Sequence, residues 1–292
     1  MFMNKLKTFI FLVALSGLLL MFGGFLGGYN GIKIALIVSL LINFVTYFFS
    51  DKIVLAIYGA QELDETYYGW IYSIVNELTE KMNIPMPKLW LIDSNMANAF
   101  ATGRNPSHAS VALTSGIINI LDKNELRGVI AHELSHIKNR DILIATIAAT
   151  VATAISYMAS MLRYAAFWGS FGGNNKKNGN PIALIIMSII MPIAAIIMQL
   201  AISRSREYLA DETGAIHSQD PLALASALEK LHSRAQHTAT NEHSSAKEST
   251  ASLFIVNPFS GKNIINIFST HPPVDERIKK LQKIYEKMHN IN

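Results

Sequence analysis

Along the 292-residue chain the apolar positions gather into long blocks instead of one continuous amphipathic rhythm. From Thr8 to Gly28 no side chain carries a charge, and Ile34 to Phe49 nearly repeats the pattern after Tyr29-Asn30-Gly31. A helix of that length crosses the roughly 30 Å hydrocarbon core of a bilayer, so the pair predicts a helical hairpin turning at Tyr29-Asn30-Gly31. Two further runs, Ile142 to Leu162 and Pro181 to Ile202, flank a stretch of Gly, Asn and Lys from Gly169 to Gly179. They predict a second hairpin. The expected organisation is therefore a transmembrane hairpin in residues 1–50, polar chain in 51–141, a second hairpin in 142–202 and polar chain in 203–292. An even number of crossings returns the chain to one side, so the two polar stretches form the halves of a single domain. Residues 233–252, rich in Ser, Thr, Ala and His without apolar periodicity, read as a loop.

Two other readings of these blocks exist. The first 28 residues resemble a cleaved signal peptide in their Lys5 and Lys7 and their small Gly pairs, but a second apolar run follows at once. The later runs resemble buried core helices of a soluble domain, but they lack any charged face. Lys5 and Lys7 put the N-terminus on the cytoplasmic side by the positive-inside rule, while Lys176 and Lys177 pull the other way.

Composition agrees with a bilayer: half the residues are hydrophobic, only 16% are charged and the mean hydropathy is +0.27. With no cysteine, disulfides, thiolate ligands and a Cys nucleophile are excluded, so a metal would be held by His and carboxylates. The net charge of +4 is spread along the chain without a basic patch, which argues against a nucleic-acid partner and for lipid headgroups.

Candidate chemistry begins at Asp122-Lys123-Asn124-Glu125, a helix-start pattern in which Asp122 caps free amides and Glu125 reaches back. The helix it starts carries His132-Glu133-Leu134-Ser135-His136. Histidines four apart lie one turn apart on one face, where both imidazoles can reach one ion. Glu133 shares that sector, beside the metal without having to bind it, where a carboxylate can deprotonate an activated water. A catalytic zinc needs a third protein ligand and an open position, and Glu207 in Arg204-Ser205-Arg206-Glu207-Tyr208-Leu209-Ala210-Asp211 is the best candidate. Asp211, one turn on, could fix the tautomer of a ligand histidine. The same segment also reads as a charged, interfacial end of a membrane helix.

These residues, with Lys138-Asn139-Arg140-Asp141, Asn98-Ala99-Phe100-Ala101-Thr102-Gly103, and Ser269-Thr270-His271-Pro272-Pro273 followed by Arg277, resemble the HtpX family of bacterial membrane-integrated zinc metalloproteases. That family is distantly related to the CAAX-prenyl endopeptidases. The resemblance covers nearly the whole chain and implies a mainly α fold: four transmembrane helices and a cytoplasmic Glu-zincin-type protease domain with a small β-sheet. It implies one zinc ion per chain on His132, His136 and Glu207, with Glu133 as catalytic base. Asn98, Ala99 and Phe100 would lie on an edge strand to which an extended substrate adds. His271, with Arg277, would sit near the active site, where a donor stabilises an oxyanion; His271 could equally anchor the turn that Pro272 and Pro273 impose. The implied role is quality control in the bacterial inner membrane, multi-pass, with the active site facing the cytoplasm. The substrates would be unfolded or misfolded membrane proteins, with a stress response and association with other quality-control proteases as corollaries.

Rival classes are an intramembrane protease of the site-two kind, a CAAX-prenyl endopeptidase, and a membrane scaffold or transporter with a structural zinc. The first would bury its motif inside a span, whereas Lys123, Glu125, Arg127, Lys138, Arg140 and Asp141 surround this one with charge. The second carries more membrane helices, and the third would need a fourth protein ligand.

Overall fold

A computed structural model of the chain describes residues 2–151, 155, 204–238, 255 and 272–289. The chain starts with α1 (Phe2–Ile57), which breaks at Gly27 (φ −136°, ψ 15°) and Gly28 (φ 56°, ψ −139°) into two helical legs. The conformation of Gly28 is open only to a residue without Cβ. The expected hairpin is thus present, but its turn lies at Gly27-Gly28, and Tyr29, Asn30 and Gly31 are already helical. Gly23 and Gly31 let the legs touch: a Cβ on Gly31 would fall 1.9 Å from the Gly23 carbonyl oxygen. Asn43 Nδ2 donates across the hairpin to Ser16 Oγ at 2.8 Å.

The second leg, Gly27–Ile57, is long and apolar enough to cross a membrane. It buries Ala35, Ser39, Thr46, Ser50 and Val54 on one face and exposes Ile34, Ile37, Leu40, Leu41 and Phe44 on the other. Such an exposed apolar face fits lipid better than water. It is the one helix among the described residues that meets this test. The expected third span starts as a helix, α5 (Ile142–Val151); most of the rest of it and the whole fourth span lie outside the described residues.

After α1 come β1 (Gln61–Glu62), α2 (Glu65–Met82), β2 (Lys88–Ile92), β3 (Ala99–Gly103), β4 (Ala109–Thr114), α3 (Ser115–Ile120) and α4 (Lys123–Lys138). The strands form one mixed sheet in the order β1-β2-β4-β3. β2 runs parallel to β4, with Leu89 opposite Val111, and β3 runs antiparallel to β4, with Ala101 opposite Val111. Alternation along the strands gives the sheet two buried faces. Leu89, Ala99, Ala101, Val111 and Leu113 join the core formed by Ile71, Val75 and Leu78 of α2 and Leu126, Val129 and Ile130 of α4. Ile92, Phe100 and Ala112 pack on the other face against Val54 and Leu55 of α1 and Ala149 of α5. β3 is therefore an edge strand held between the helix carrying the histidines and the end of the apolar hairpin.

α4 starts with the anticipated capping box. Asp122 Oδ1 accepts from the backbone N–H groups of Asn124 and Glu125, and Glu125 Oε2 accepts from the Asp122 N–H. Caps of this kind contribute about 0.5–2 kcal/mol. α6 (Arg204–Ser218), α7 (Pro221–Thr238) and α8 (Val274–Met288) complete the described elements, with α6 and α7 packed on α4 and α8 packed on both of them. The fold is mainly helical with a small mixed sheet, as expected.

Candidate metal centre

The apolar positions of α4 turn Leu126, Val129, Ile130 and Leu134 into the core, which leaves His132, Glu133 and His136 on the side facing α6 and β3. The Nε2 atoms of His132 and His136 lie 3.2 Å apart, with the rings at 90° to each other. Glu207, on α6, brings Oε2 to 3.7 Å from His132 Nε2 and Oε1 to 3.6 Å from His136 Nε2. One ligand atom from each of the three residues fits within 4.8 Å of the others.

The outer nitrogen of each ring faces a carboxylate. His132 Nδ1 is 2.9 Å from Asp211 Oδ1, and His136 Nδ1 is 3.2 Å from both oxygens of Asp141. An imidazole whose proton sits on Nδ1 presents a lone pair at Nε2, so in that tautomer each ring aims a lone pair at the point the Glu207 carboxylate also reaches; His132 Nδ1 lies close to Asp211 without a well-aligned hydrogen bond. Two nitrogens at about 2.0–2.1 Å from a tetrahedral zinc stand roughly 3.3 Å apart, close to the spacing seen. The donors therefore fit a divalent cation.

The surroundings are buried and strongly charged. Burial pushes the Glu133 carboxyl up to about 8 in the metal-free protein, with His136 opposing and Glu207 adding to the effect. Burial would depress His136, but Asp141, Glu207 and Glu133 outweigh it and push the ring up to about 10. His132 is lowered by burial against the pull of Asp211. Asp211 is held at about 2, its burial overcome by Arg277 and by its contact with His132. Arg206 is lowered by burial and lies in the field of Asp141 and Glu207.

Glu133 Oε2 accepts the backbone N–H of Ala101 at 2.8 Å. Asn98 and Thr114 form a hydrogen-bonded pair at the start of β3, so the amides of alternate residues, Ala99, Ala101 and Gly103, face away from β4. α4 thus sits over the outward edge of β3, where Glu133 takes the Ala101 amide and Thr146 Oγ1 of α5 takes that of Gly103 at 3.4 Å.

Of the residues expected at the site, His132, Glu133, His136, Glu207 and Asp211 converge. Asn98, Ala99 and Phe100 open the edge strand, with Phe100 turned to the opposite face, where its ring lies 5.5 Å from Tyr58. Arg277, expected near the active site with His271, is turned inward. It is 0% exposed, and Asp211 and the Ile255 carbonyl take up its donors, so it stands behind His132. His271 lies outside the described residues. Asp141 and the Ala101 amide were not foreseen as parts of the site. The signal for Asp141 was a carboxylate just past the end of α4, within the Lys138-Asn139-Arg140-Asp141 block.

The model for peptidase family M48 matches residues 66–285, which spans both halves of this site. The chain belongs to peptidase family M48. This M48 chain is a metallopeptidase, and its relatives place it with the HtpX proteases. It is 51% identical over 291 residues to "Protease HtpX homolog" of Sulfurihydrogenibium sp. (strain YO3AOP1), covering 98% of this chain and 97% of that protein. To the "Protease HtpX homolog" of Aquifex aeolicus (strain VF5) it is 49% identical over 277 residues, covering 94% and 90%. Its fold is similar to the crystal structure of S. mikatae Ste24p, with a TM-score of 0.50 at 19% identity over 96% of this chain. This M48 chain spans 66% of the Ste24p chain.

Proposed function

We propose that this metallopeptidase is a membrane-integrated zinc endopeptidase that cuts unfolded or misfolded membrane proteins at the cytoplasmic face of the bacterial inner membrane. Residues 51–141 and 203–292 together form the protease domain, and residues 1–50 and 142–202 hold it in the bilayer as two hairpins. The reading rests above all on the convergence of His132, His136 and Glu207 beside Glu133. Two imidazoles and one carboxylate, with no fourth protein ligand in the cluster among the described residues, suit zinc at a catalytic site. Zinc bound there supplies a Lewis acid that polarises the scissile carbonyl and acidifies a water.

The chain's own residues do the rest. Glu133 takes the proton from the attacking water and passes it to the leaving amine. Asp141 and Asp211 keep both rings turned toward the metal. The outward edge of β3 is read as the strand to which an extended peptide adds, at Ala99 and, in exchange for Glu133, at Ala101, which selects segments that have lost their own structure. His271 is the candidate donor to the developing oxyanion, since α8, which follows it, is anchored at Arg277 beside the site. The packing of Val54 and Leu55 on the sheet carrying β3 favours substrates presented at a membrane surface.

Replacing Glu133 with Gln tests this. Purified in detergent with zinc, Glu133→Gln keeps one metal per chain and loses cleavage of an unfolded membrane protein, whereas Glu207→Ala loses both. Wild-type turnover by Glu133→Gln, or full zinc occupancy in Glu207→Ala, refutes the assignment.

A further inference from the structure

Arg277 is the largest side chain in the described interior with no exposure at all. It stands on α8, whose other buried residue is Leu281, one turn on. Its guanidinium grips Asp211 with two parallel bonds, Nε to Oδ2 at 2.8 Å and Nη2 to Oδ1 at 2.7 Å. Nη1 donates to the Ile255 carbonyl at 3.0 Å, and the Ile255 N–H donates to Asn98 Oδ1 at 3.2 Å. The Asp211 oxygen that receives Nη2 is also the one 2.9 Å from His132 Nδ1. One connected path therefore runs from the head of the edge strand, through Ile255, Arg277 and Asp211, to a ring that faces the metal.

We propose that Arg277 is a positioning residue: it fixes the plane of the Asp211 carboxylate, and through it the orientation of His132, while tying that ring to the β3 edge. The proposal rests on the reading of His132 as a metal ligand. A fork of two parallel bonds defines both the place and the rotation of a carboxylate, which a single ammonium cannot do. With its nitrogens turned to Asp211 and Ile255 and no surface exposed, the side chain has no route to substrate. Its effect on the reaction passes through the metal site.

Zinc affinity by chelator competition and the visible absorption of the cobalt(II)-loaded protein read that effect without turnover. Both are measured on full-length protein in detergent, alongside thermal unfolding of the metal-free form. Arg277→Met should weaken zinc about 10- to 100-fold and alter the cobalt band, as loss of a ligand's supporting partner does. Arg277→Lys should restore part of the affinity and less of the band shape. In an Asp211→Asn background, adding Arg277→Met should change zinc affinity less than about twofold. Where Arg277→Met or Asp211→Asn unfolds, Arg277→Lys, which keeps a charge opposite Asp211, carries the test: a zinc affinity and cobalt band both equal to wild type overturn the proposal. Unchanged affinity and cobalt band in a folded Arg277→Met protein overturn the proposal, as do effects of the two substitutions that simply multiply. Wild-type protein that binds neither ion overturns the metal-site reading and this proposal with it; metal binding indifferent to Arg277 overturns this proposal alone.

Discussion

Gly214 is where a single methyl group should act on the metal. It lies seven residues beyond Glu207 and three beyond Asp211 on α6, and it rests directly on the backbone of α4. A Cβ there would stand 3.0 Å from the His132 nitrogen and 3.1 Å from both the Ala131 carbonyl carbon and His132 Cα, where ordinary contacts begin at 3.4 Å. Backbone atoms cannot swing aside, so Gly214→Ala must move α6 off α4 by a few tenths of an ångström. Overpacking of this kind costs about 1–3 kcal/mol, against about 1 kcal/mol returned by the higher helix propensity of alanine. The net loss of fold stability is therefore small, about 0–2 kcal/mol. The metal site is less forgiving, because ligand distances tolerate only about 0.2 Å. Glu207 and Asp211 ride on the helix that moves, while His132 and His136 stay on α4. Zinc affinity should fall about 10- to 100-fold. Chelator competition measures it, and Gly69→Ala on α2 is the control: a Cβ there meets nothing within 4 Å, so zinc binding stays constant. If Gly214→Ala binds zinc within twofold of wild type, the α4–α6 contact does not set the ligand geometry.

Ala101→Pro removes the one N–H that Glu133 accepts, and proline is tolerated on an edge strand where that N–H faces away from the ladder. Loss of a hydrogen bond to a charged group, about 1.5–3 kcal/mol, should lower kcat roughly 10- to 100-fold with zinc content intact; equal kcat shows that the amide does not position the base. Glu125→Gln tests the cap of α4. Burial opposes ionisation of Glu125, but bonds from Lys230, Ser226 and the Asp122 amide outweigh it and hold the carboxyl below its usual 4.5. Because the folded value is lowered, its stabilisation is complete above pH 4.5 and is lost as pH falls through the folded value. The variant should be less stable by about 1–3 kcal/mol at pH 7, and the gap should close on acidification; a gap that persists in acid is the contrary result. Finally, His136 is pushed up to about 10 without metal, so it is protonated at pH 7 and must release that proton to bind zinc. Calorimetry in buffers of different ionisation enthalpy should find at least one proton released per zinc, and zinc affinity rising with pH; zero release contradicts this.

How much of this was legible in the chain depends on the range of each interaction. The capping box, the shared face of His132, Glu133 and His136, and the strand character of Ala99–Gly103 are set by neighbours within a turn or a pleat, and they appeared in the expected places. The turn of the first hairpin was misplaced by a few residues, because Tyr29-Asn30-Gly31 and Gly27-Gly28 both carry turn signals. Only the backbone of Gly28 shows which one breaks the helix. Asp141 escaped for a similar reason. Its carboxylate reaches His136 because α4 ends at Asn139 and Arg140 then adopts φ 57°, a left-handed turn that nothing in an arginine announces. Arg277 was expected near the active site, but not as the partner of Asp211. Its complete burial follows from a carboxylate 66 positions away, a pairing that no local pattern encodes.

The charges around the centre explain why these distant pieces belong together. Glu133, Asp141, Glu207 and Asp211 are all buried, and the guanidiniums in their field include Arg277 and the half-buried Arg206. Four carboxylates gathered in one buried site make surroundings that a divalent cation would offset. Buried charge without a partner is costly, so the metal-free protein relieves it by taking up protons, and the groups that rise are Glu133 and His136. Those are the two side chains whose protons must leave before water can be activated. A cation that binds only the folded chain stabilises the fold by an amount that grows with the logarithm of its concentration over its dissociation constant. Arg277 and Asp211 fall outside this exchange: their pair keeps its charges whether or not the metal is present, so the frame that aims His132 stays fixed while the rest of the centre titrates.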